Sequence, residues 1–265
     1  MTAGVGAAEA TQFGHGPNPH LSGETEVVRP IPVVREPAPR SASASQKATL
    51  RARSERLDRI MNIALASIGL ALAAPIMLVF AVLVKLTSPG PIFYTQARVG
   101  LDRRARSRSR TVYDRRARDL GGRAFMILKF RTMRTDAEQN GAVWAQKGDA
   151  RVTPVGGVMR KYRIDELPQL VNVIRGEMNI VGPRPERPSI FSRLCDDIAD
   201  YPLRQQARPG ITGWAQVNQA YDTSIDDVRS KVRYDLEYLA RQGMAEDLRI
   251  MARTVPVMLF RKGGW

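Results

Sequence analysis

IMNIALASIGLALAAPIMLVFAVLV, residues 60–84, is a run of 25 residues without a charge. As a helix it measures roughly 37 Å, enough to cross a bilayer with some tilt. Two features speak against a simple crossing. Ala74-Pro75 lies near the middle, where proline removes a backbone hydrogen bond and bends the helix. Both flanks are basic, with Arg51, Arg53, Arg56 and Arg59 before the run and Lys85, Arg98 and Arg103 after it. Basic flanks favour the cytoplasmic side. A helix that enters the bilayer, breaks at Ala74-Pro75 and returns to the same face satisfies both observations. A core helix of a soluble domain fits poorly, because so long an uncharged run is unusual there.

Upstream, residues 1–54 are rich in Ala, Gly, Pro, Ser and Thr and carry no sustained apolar period, which reads as a disordered tail. No apolar region of signal-peptide type follows the start. The two His residues both fall in this tail, which argues against a His-built metal site or a His base in the folded part. A single cysteine, Cys195, rules out an internal disulfide and fits a reducing, cytosol-facing environment. The balance of 41 Lys+Arg against 26 Asp+Glu gives a net charge of +15. Such an excess implies an anionic partner: nucleic acid, acidic lipid or a phosphorylated substrate.

Downstream, KLTSPGPIFYTQARVG (residues 85–100) passes through Pro- and Gly-rich turns into a short extended piece at residues 92–95. Residues 102–122, DRRARSRSRTVYDRRARDLGG, form an arginine block that reads as a solvated loop able to dock on anionic headgroups. AFMILKFRTM, residues 124–133, has strand composition, and alternation puts Lys129 and Arg131 on one face. Two cations on one strand face are commonly just solvated.

The densest chemistry lies at residues 160–185, RKYRIDELPQLVNVIRGEMNIVGPRP. Asp165-Glu166 precedes an apolar run of helical spacing, Leu167, Leu170, Val171, Val173 and Ile174, which ends on a basic turn and a C′ glycine at Arg175-Gly176. Pro168 suits the first turn, so Asp165 is expected at or beside the N-cap. Backbone N–H groups and the helix dipole would hold it ionised there and attract phosphate. Arg160, Lys161, Arg163, Arg184 and Arg187 surround the pair. A carboxylate among cations suits a nucleophile or Mg²⁺ ligand for phosphoryl chemistry. An Asp-Glu pair opening a helix is otherwise only a cap with solvated neighbours.

The order of residues decides between these readings. DELPQL and NIVGPRP, with KFRTM upstream (residues 129–133) and RPGITGWAQVN downstream (residues 208–218), resemble the bacterial monotopic polyprenyl-phosphate phosphoglycosyl transferases, the small membrane-associated sugar transferases that begin exopolysaccharide assembly. The resemblance runs from about residue 56 to the C-terminus. It implies a fold of the α+β class, mostly helical and membrane-associated, with a re-entrant helix-break-helix hairpin (residues 55–88, break at Ala74 and Pro75) and a cytoplasmic catalytic domain (residues 89–265). Family members have Ser-Pro at the break where this chain has Ala74-Pro75, and they lack the insertion at residues 102–122. The implied activity is transfer of a sugar-1-phosphate from a UDP-sugar to undecaprenyl phosphate at the cytoplasmic face of the bacterial inner membrane. The implied residues are Asp165 as covalent nucleophile, Glu166 with Asp165 as holders of Mg²⁺, and Lys129, Arg131, Arg160, Arg184 and Arg208 as phosphate clamps. Which carboxylate touches the metal stays open, as does the sugar.

Two rivals remain at this level. The arginine block suggests a nucleic-acid-binding protein, but no reading helix or aromatic platform is evident, so membrane lipids rather than nucleic acid are the expected partner. An inactive membrane scaffold of the same fold is opposed by the intact acidic pair. The rest of the chain reads as a helix at residues 189–200, a turn-rich loop supported by Trp214, and a helix capped by Ser224 with Asp227. A last helix at residues 245–260 fits either the core or the membrane surface.

Overall fold

A computed structural model of the chain describes residues 55–102, 122–137, 149–219 and 224–260. The N-terminal tail, nearly all of the arginine block and Trp144 lie outside these described residues.

The uncharged run forms one helix, α1 (Glu55–Thr87), long and apolar enough to cross a membrane. Helical backbone continues through Ala74 and Pro75, so the expected break is not a loss of helix there. Pro75 still lacks the N–H that would bond the Ala71 carbonyl. Asn62, Ala66 and Val84 are buried, and Gly69, Leu70, Ala73, Met77, Phe80 and Ala81 are half-buried between them. These residues recur every three or four positions and form one stripe. The opposite face is apolar and open, with Leu72 78% and Leu78 68% exposed.

Both parts of this stripe lie against the rest of the fold. Ala66 packs with Phe125, Ile127, Leu170, Val173 and Met178, and Val84 packs with Phe130, Met159 and Ile164. Polar anchors add direction. Asn62 Oδ1 accepts the Ile180 N–H at 2.7 Å, and the Arg59 guanidinium donates to the carbonyls of Val173 and Ile174.

Strands β1 (Phe93–Val99) and β2 (Ala124–Phe130) pair antiparallel, from Phe93 opposite Phe130 to Val99 opposite Ala124. β1 is longer than the sequence suggested, and β2 ends three residues sooner. The arginine block therefore leaves and rejoins the fold at the Val99–Ala124 end of this strand pair. A Cβ on Gly122 would stand 2.0 Å from the Gly100 carbonyl oxygen, so only glycine fits that closure.

Helix α2 (Pro154–Lys161) starts at Thr153, whose hydroxyl accepts the Gly156 N–H at 3.0 Å. A 3₁₀ turn (Ile164–Glu166) and α3 (Gln169–Arg175) follow. β3 (Asn179–Val181) pairs in parallel with β4 (Gly210–Thr212). Between them lie α4 (Pro188–Asp197) and a second 3₁₀ segment (Tyr201–Gln206). α4 stops three residues before the expected end, because Ile198 turns to extended backbone.

α5 (Trp214–Asn218), α6 (Ile225–Arg241) and α7 (Met244–Phe260) complete the chain. The capping box of α6 is present: Asp227 N–H reaches Ser224 Oγ at 3.2 Å and Ser224 N–H reaches Asp227 Oδ2 at 2.9 Å. Trp214 supports its loop, with Nε1 on Glu237 at 3.0 Å and its ring beneath Arg249 and Arg253. α7 buries Ile250 against Val181 and Tyr238 while exposing Leu248 and Val255, so it has both a core face and an open apolar face.

Candidate active site

The acidic pair is placed by a turn of the backbone. Arg163 adopts φ 58°, ψ 20°, the left-handed region, and is the non-glycine residue there among those described. Such a conformation costs about 1–3 kcal/mol and is found where a site fixes it. It turns the chain out of α2 and carries Asp165 and Glu166 into the interior. The expected N-cap position is not realised. Asp165 lies in the 3₁₀ turn, and α3 begins only at Gln169. Tight bonds explain the shift, because the N–H groups of Glu166, Leu167, Leu170 and Val171 go to the carbonyls of Arg163, Ile164, Leu167 and Pro168. At its other end α3 stops as the sequence indicates, with Gly176 at φ 84°.

Glu166 is clamped by three cations. Arg184 Nη2 stands 2.6 Å from Oε1, Lys129 Nζ 2.9 Å from Oε1, and Arg163 Nη1 3.6 Å from Oε2. Burial alone would raise this carboxyl. Arg184, Lys129 and Arg163 outweigh it and hold the group well below the usual carboxylate range.

Asp165 is equally buried but differently served. Its Oδ1 has no hydrogen-bond partner among the described residues. Burial pushes its carboxyl above the ordinary value and the Glu166 charge adds to this, while Lys129, Arg184 and Arg160 pull it back only in part. The site therefore pairs a firmly ionised carboxylate with a more basic, unengaged one. Basicity and lack of a partner are what an attacking oxygen needs.

A small cleft lies next to the cations that hold Glu166, lined by Arg98, Ile127, Lys129, Gln169, Arg184 and Pro185. Its two other polar residues, Arg98 and Gln169, were not singled out from sequence. Arg98 reaches this place by donating to the Pro185 carbonyl at 3.1 Å, 87 residues along the chain. No local pattern signals such a contact. Gln169 was visible only as part of DELPQL.

The expected phosphate clamps divide. Lys129 and Arg184 converge on Glu166. Arg131 lies past the end of β2 and is buried, its guanidinium donating to the carbonyls of Ser88 (2.7 Å) and Pro89. It holds the turn after α1 rather than joining the acidic pair. Arg160 Nε donates to Thr132 Oγ1 at 2.9 Å while its charge still acts on Asp165. Arg208 is half-buried on the loop entering β4. That loop abuts Gly182, where a Cβ would stand 2.2 Å from the Arg208 carbonyl oxygen.

Among the described residues no group of three His, Cys, Asp or Glu side chains forms a metal cluster. Mg²⁺ needs none, since it commonly binds one or two carboxylates and completes its shell with water and substrate phosphates. The partnerless Asp165 Oδ1 fits that role. Glu166 fits it less directly, because its oxygens already serve cations.

The sequence model of the family described as Bacterial sugar transferase matches residues 53–261. The chain is 42% identical over 203 residues to a UDP-N-acetylgalactosamine-undecaprenyl-phosphate N-acetylgalactosaminephosphotransferase of Aeromonas hydrophila, covering 77% of this chain and 44% of that protein. It is 38% identical over 203 residues to a UDP-glucose:undecaprenyl-phosphate glucose-1-phosphate transferase of Caulobacter vibrioides, covering 76% of this chain and 69% of that protein. It is also 34% identical over 222 residues to the exopolysaccharide production protein ExoY of Rhizobium meliloti, covering 78% and 87%. The chain thus spans less than half the length of the Aeromonas relative but most of the other two.

Proposed function

This chain belongs to the bacterial sugar transferase family, and from that premise we propose that it moves a sugar-1-phosphate from a UDP-sugar to undecaprenyl phosphate, beginning the assembly of a polysaccharide. The observation that carries the reading is the contrast within the acidic pair. Glu166 is locked by Lys129 and Arg184, whereas Asp165 Oδ1 is buried, basic and unengaged. The names of the relatives support both substrates.

In the reaction so read, an Asp165 oxygen attacks the sugar-linked phosphorus. A bond forms between that oxygen and phosphorus, and the bond to the bridging oxygen breaks. UMP departs with the electron pair. A phosphate oxygen of the lipid then attacks the same phosphorus and displaces Asp165, restoring the carboxylate. Lys129, Arg184 and Arg160 neutralise phosphoryl oxygens, and Glu166 keeps the first two in place. Mg²⁺, held through Asp165 Oδ1 and substrate phosphates, would supply charge neutralisation for the diphosphate.

A re-entrant seat at the cytoplasmic face of the inner membrane accords with this chemistry. Both ends of α1 pack on the body that holds the site, and both flanks are basic. A body gripping both ends of a helix roughly 50 Å long leaves only the open apolar face for lipid. The nucleic-acid alternative rests on the arginine block, nearly all of it outside the described residues, whereas Arg98, Arg131 and Arg184 are turned inward onto carbonyls and carboxylates.

The test is a product assay with full-length protein in lipid, UDP-sugars offered singly, and undecaprenyl phosphate. UMP and a lipid diphosphosugar should form in equal amounts with at least one donor. Absence of both products with UDP-glucose, UDP-N-acetylglucosamine, UDP-galactose and UDP-N-acetylgalactosamine would overturn the reading.

A further inference from the structure

Around the acidic pair, three buried polar atoms have no hydrogen-bond partner among the described residues: Asp165 Oδ1, Gln169 Nε2 and Arg98 Nε. Asp165 Oδ1 is absorbed by the chemistry above. The other two are donors, and each belongs to a residue lining the cleft that Lys129 and Arg184 also line. Gln169 is 1% exposed, so its amide cannot turn to bulk water. The Arg98 fork is fixed by Nη1 on the Pro185 carbonyl (3.1 Å) and Glu186 Oε1 (3.3 Å) and by Nη2 on Gln96 Oε1 (2.8 Å), which leaves Nε spare.

A buried donor without an acceptor has given up its hydration without a replacement bond, which is unfavourable. Two of them on one cleft imply a ligand rich in acceptors. Lys129 and Arg184, both paired with Glu166, stand on the same walls. The ligand chemistry that satisfies N–H donors and cations lining one cleft is a phosphoryl group, with several oxygens on one small centre.

We propose that Gln169 and Arg98 contact substrate, their spare N–H groups completing a phosphoryl cradle with Lys129 and Arg184 beside Asp165. The proposal rests on the reading that Asp165 receives the phosphosugar. The phosphoryl group can come from the nucleotide donor or from the lipid acceptor, and the two half-reactions separate these sources.

The experiment uses the full chain in lipid nanodiscs, with UDP-N-acetylgalactosamine and UDP-glucose as donors. The first arm follows UMP release from donor alone. The second follows transfer from donor-loaded protein to undecaprenyl phosphate. Gln169→Leu keeps the volume and removes the amide; it should slow at least one arm about tenfold or more, while the melting temperature without substrate stays near wild type. A loss in the first arm assigns the cradle to the donor, and a loss confined to the second assigns it to the lipid phosphate. Gln169→Glu should be slower still yet at least as heat-stable, because its new carboxylate gains Lys129 and Arg184 as partners. A glutamine that merely packs would not give that opposite pair of effects. Should the Leu variant fail to fold, the Glu variant reads the same two arms. Wild-type rates in both arms overturn the proposal. Wild-type protein that releases no UMP with any donor instead removes the premise about Asp165.

Discussion

Arg184 Nη2 and Glu166 Oε1 stand 2.6 Å apart, joining the loop after β3 to the turn before α3 across a gap of 18 residues. The pair is largely shielded from water, and Lys129 shares the same oxygen. Removing one partner from such a cluster leaves uncompensated buried charge, at a cost of about 3–5 kcal/mol.

Glu166→Gln should therefore destabilise the protein. A fall in melting temperature on the order of 10 °C is expected, since each kcal/mol shifts a domain of this size by roughly 2–4 °C. The sign of the pH dependence follows from a folded-state carboxyl held below its unfolded value. Its stabilisation is complete above the ordinary glutamate range and is lost as pH falls toward the folded value. Acid titration of wild type and variant should give curves that converge at low pH.

Asp165→Asn should behave in the opposite way. The Asp165 carboxyl is raised on folding, so the unfolded chain releases its proton first and stability declines as pH climbs between the two values. At neutral pH the ionised group burdens the fold, and an uncharged amide relieves it. The variant should melt at or above the wild-type temperature and show no turnover. Loss of activity together with loss of fold would mean that Asp165 is structural.

Ionised Asp165 is the attacking form, so UMP release should fall on the acid side with a limb above the usual aspartate range. The Arg160 charge lowers this group's pKa. In Arg160→Gln the limb should move to higher pH, a displacement visible in a pH–rate profile apart from any change in maximal rate. An unmoved limb would assign it to another group.

The re-entrant seat predicts that both ends of α1 face the same compartment. Leu57 and Leu86 are exposed near those ends. With Cys195 replaced by Ser, single cysteines at positions 57 and 86 should react with an impermeant maleimide from the cytoplasmic side alone. Labelling from opposite sides would make α1 a spanning helix.

Sequence made much of this legible, for physical reasons that can be named. The end of α3 at Gly176, the Ser224–Asp227 capping box and the apolar length of α1 depend on near neighbours, so periodicity and capping chemistry reveal them. Convergence of Lys129 and Arg184 on the acidic pair came through the order of motifs, not through spacing. What remained hidden depends on contacts far along the chain. Alternation put Lys129 and Arg131 on one face, yet β2 ends at Phe130 and the Arg131 guanidinium swings to the turn after α1. Arg59 closing the end of α3 and Asn62 bonding Ile180 are likewise invisible in a run that reads as uniformly lipid-facing. The surroundings of Asp165 differ from the expected N-cap for a local reason. Tight 3₁₀ bonding consumes the N–H groups expected to stabilise it, and Glu166 adds a second negative charge beside it.

The central claim is that Asp165 carries the phosphosugar between donor and lipid. Intact-protein mass spectrometry after mixing with a UDP-sugar that supports turnover, with no lipid acceptor present, tests it most directly. The account predicts a mass gain equal to one sugar phosphate, mapped to Asp165, absent in Asp165→Asn and discharged by undecaprenyl phosphate. Unmodified protein throughout, with UMP formed only once the lipid is added, would contradict it and point to direct transfer between the two substrates.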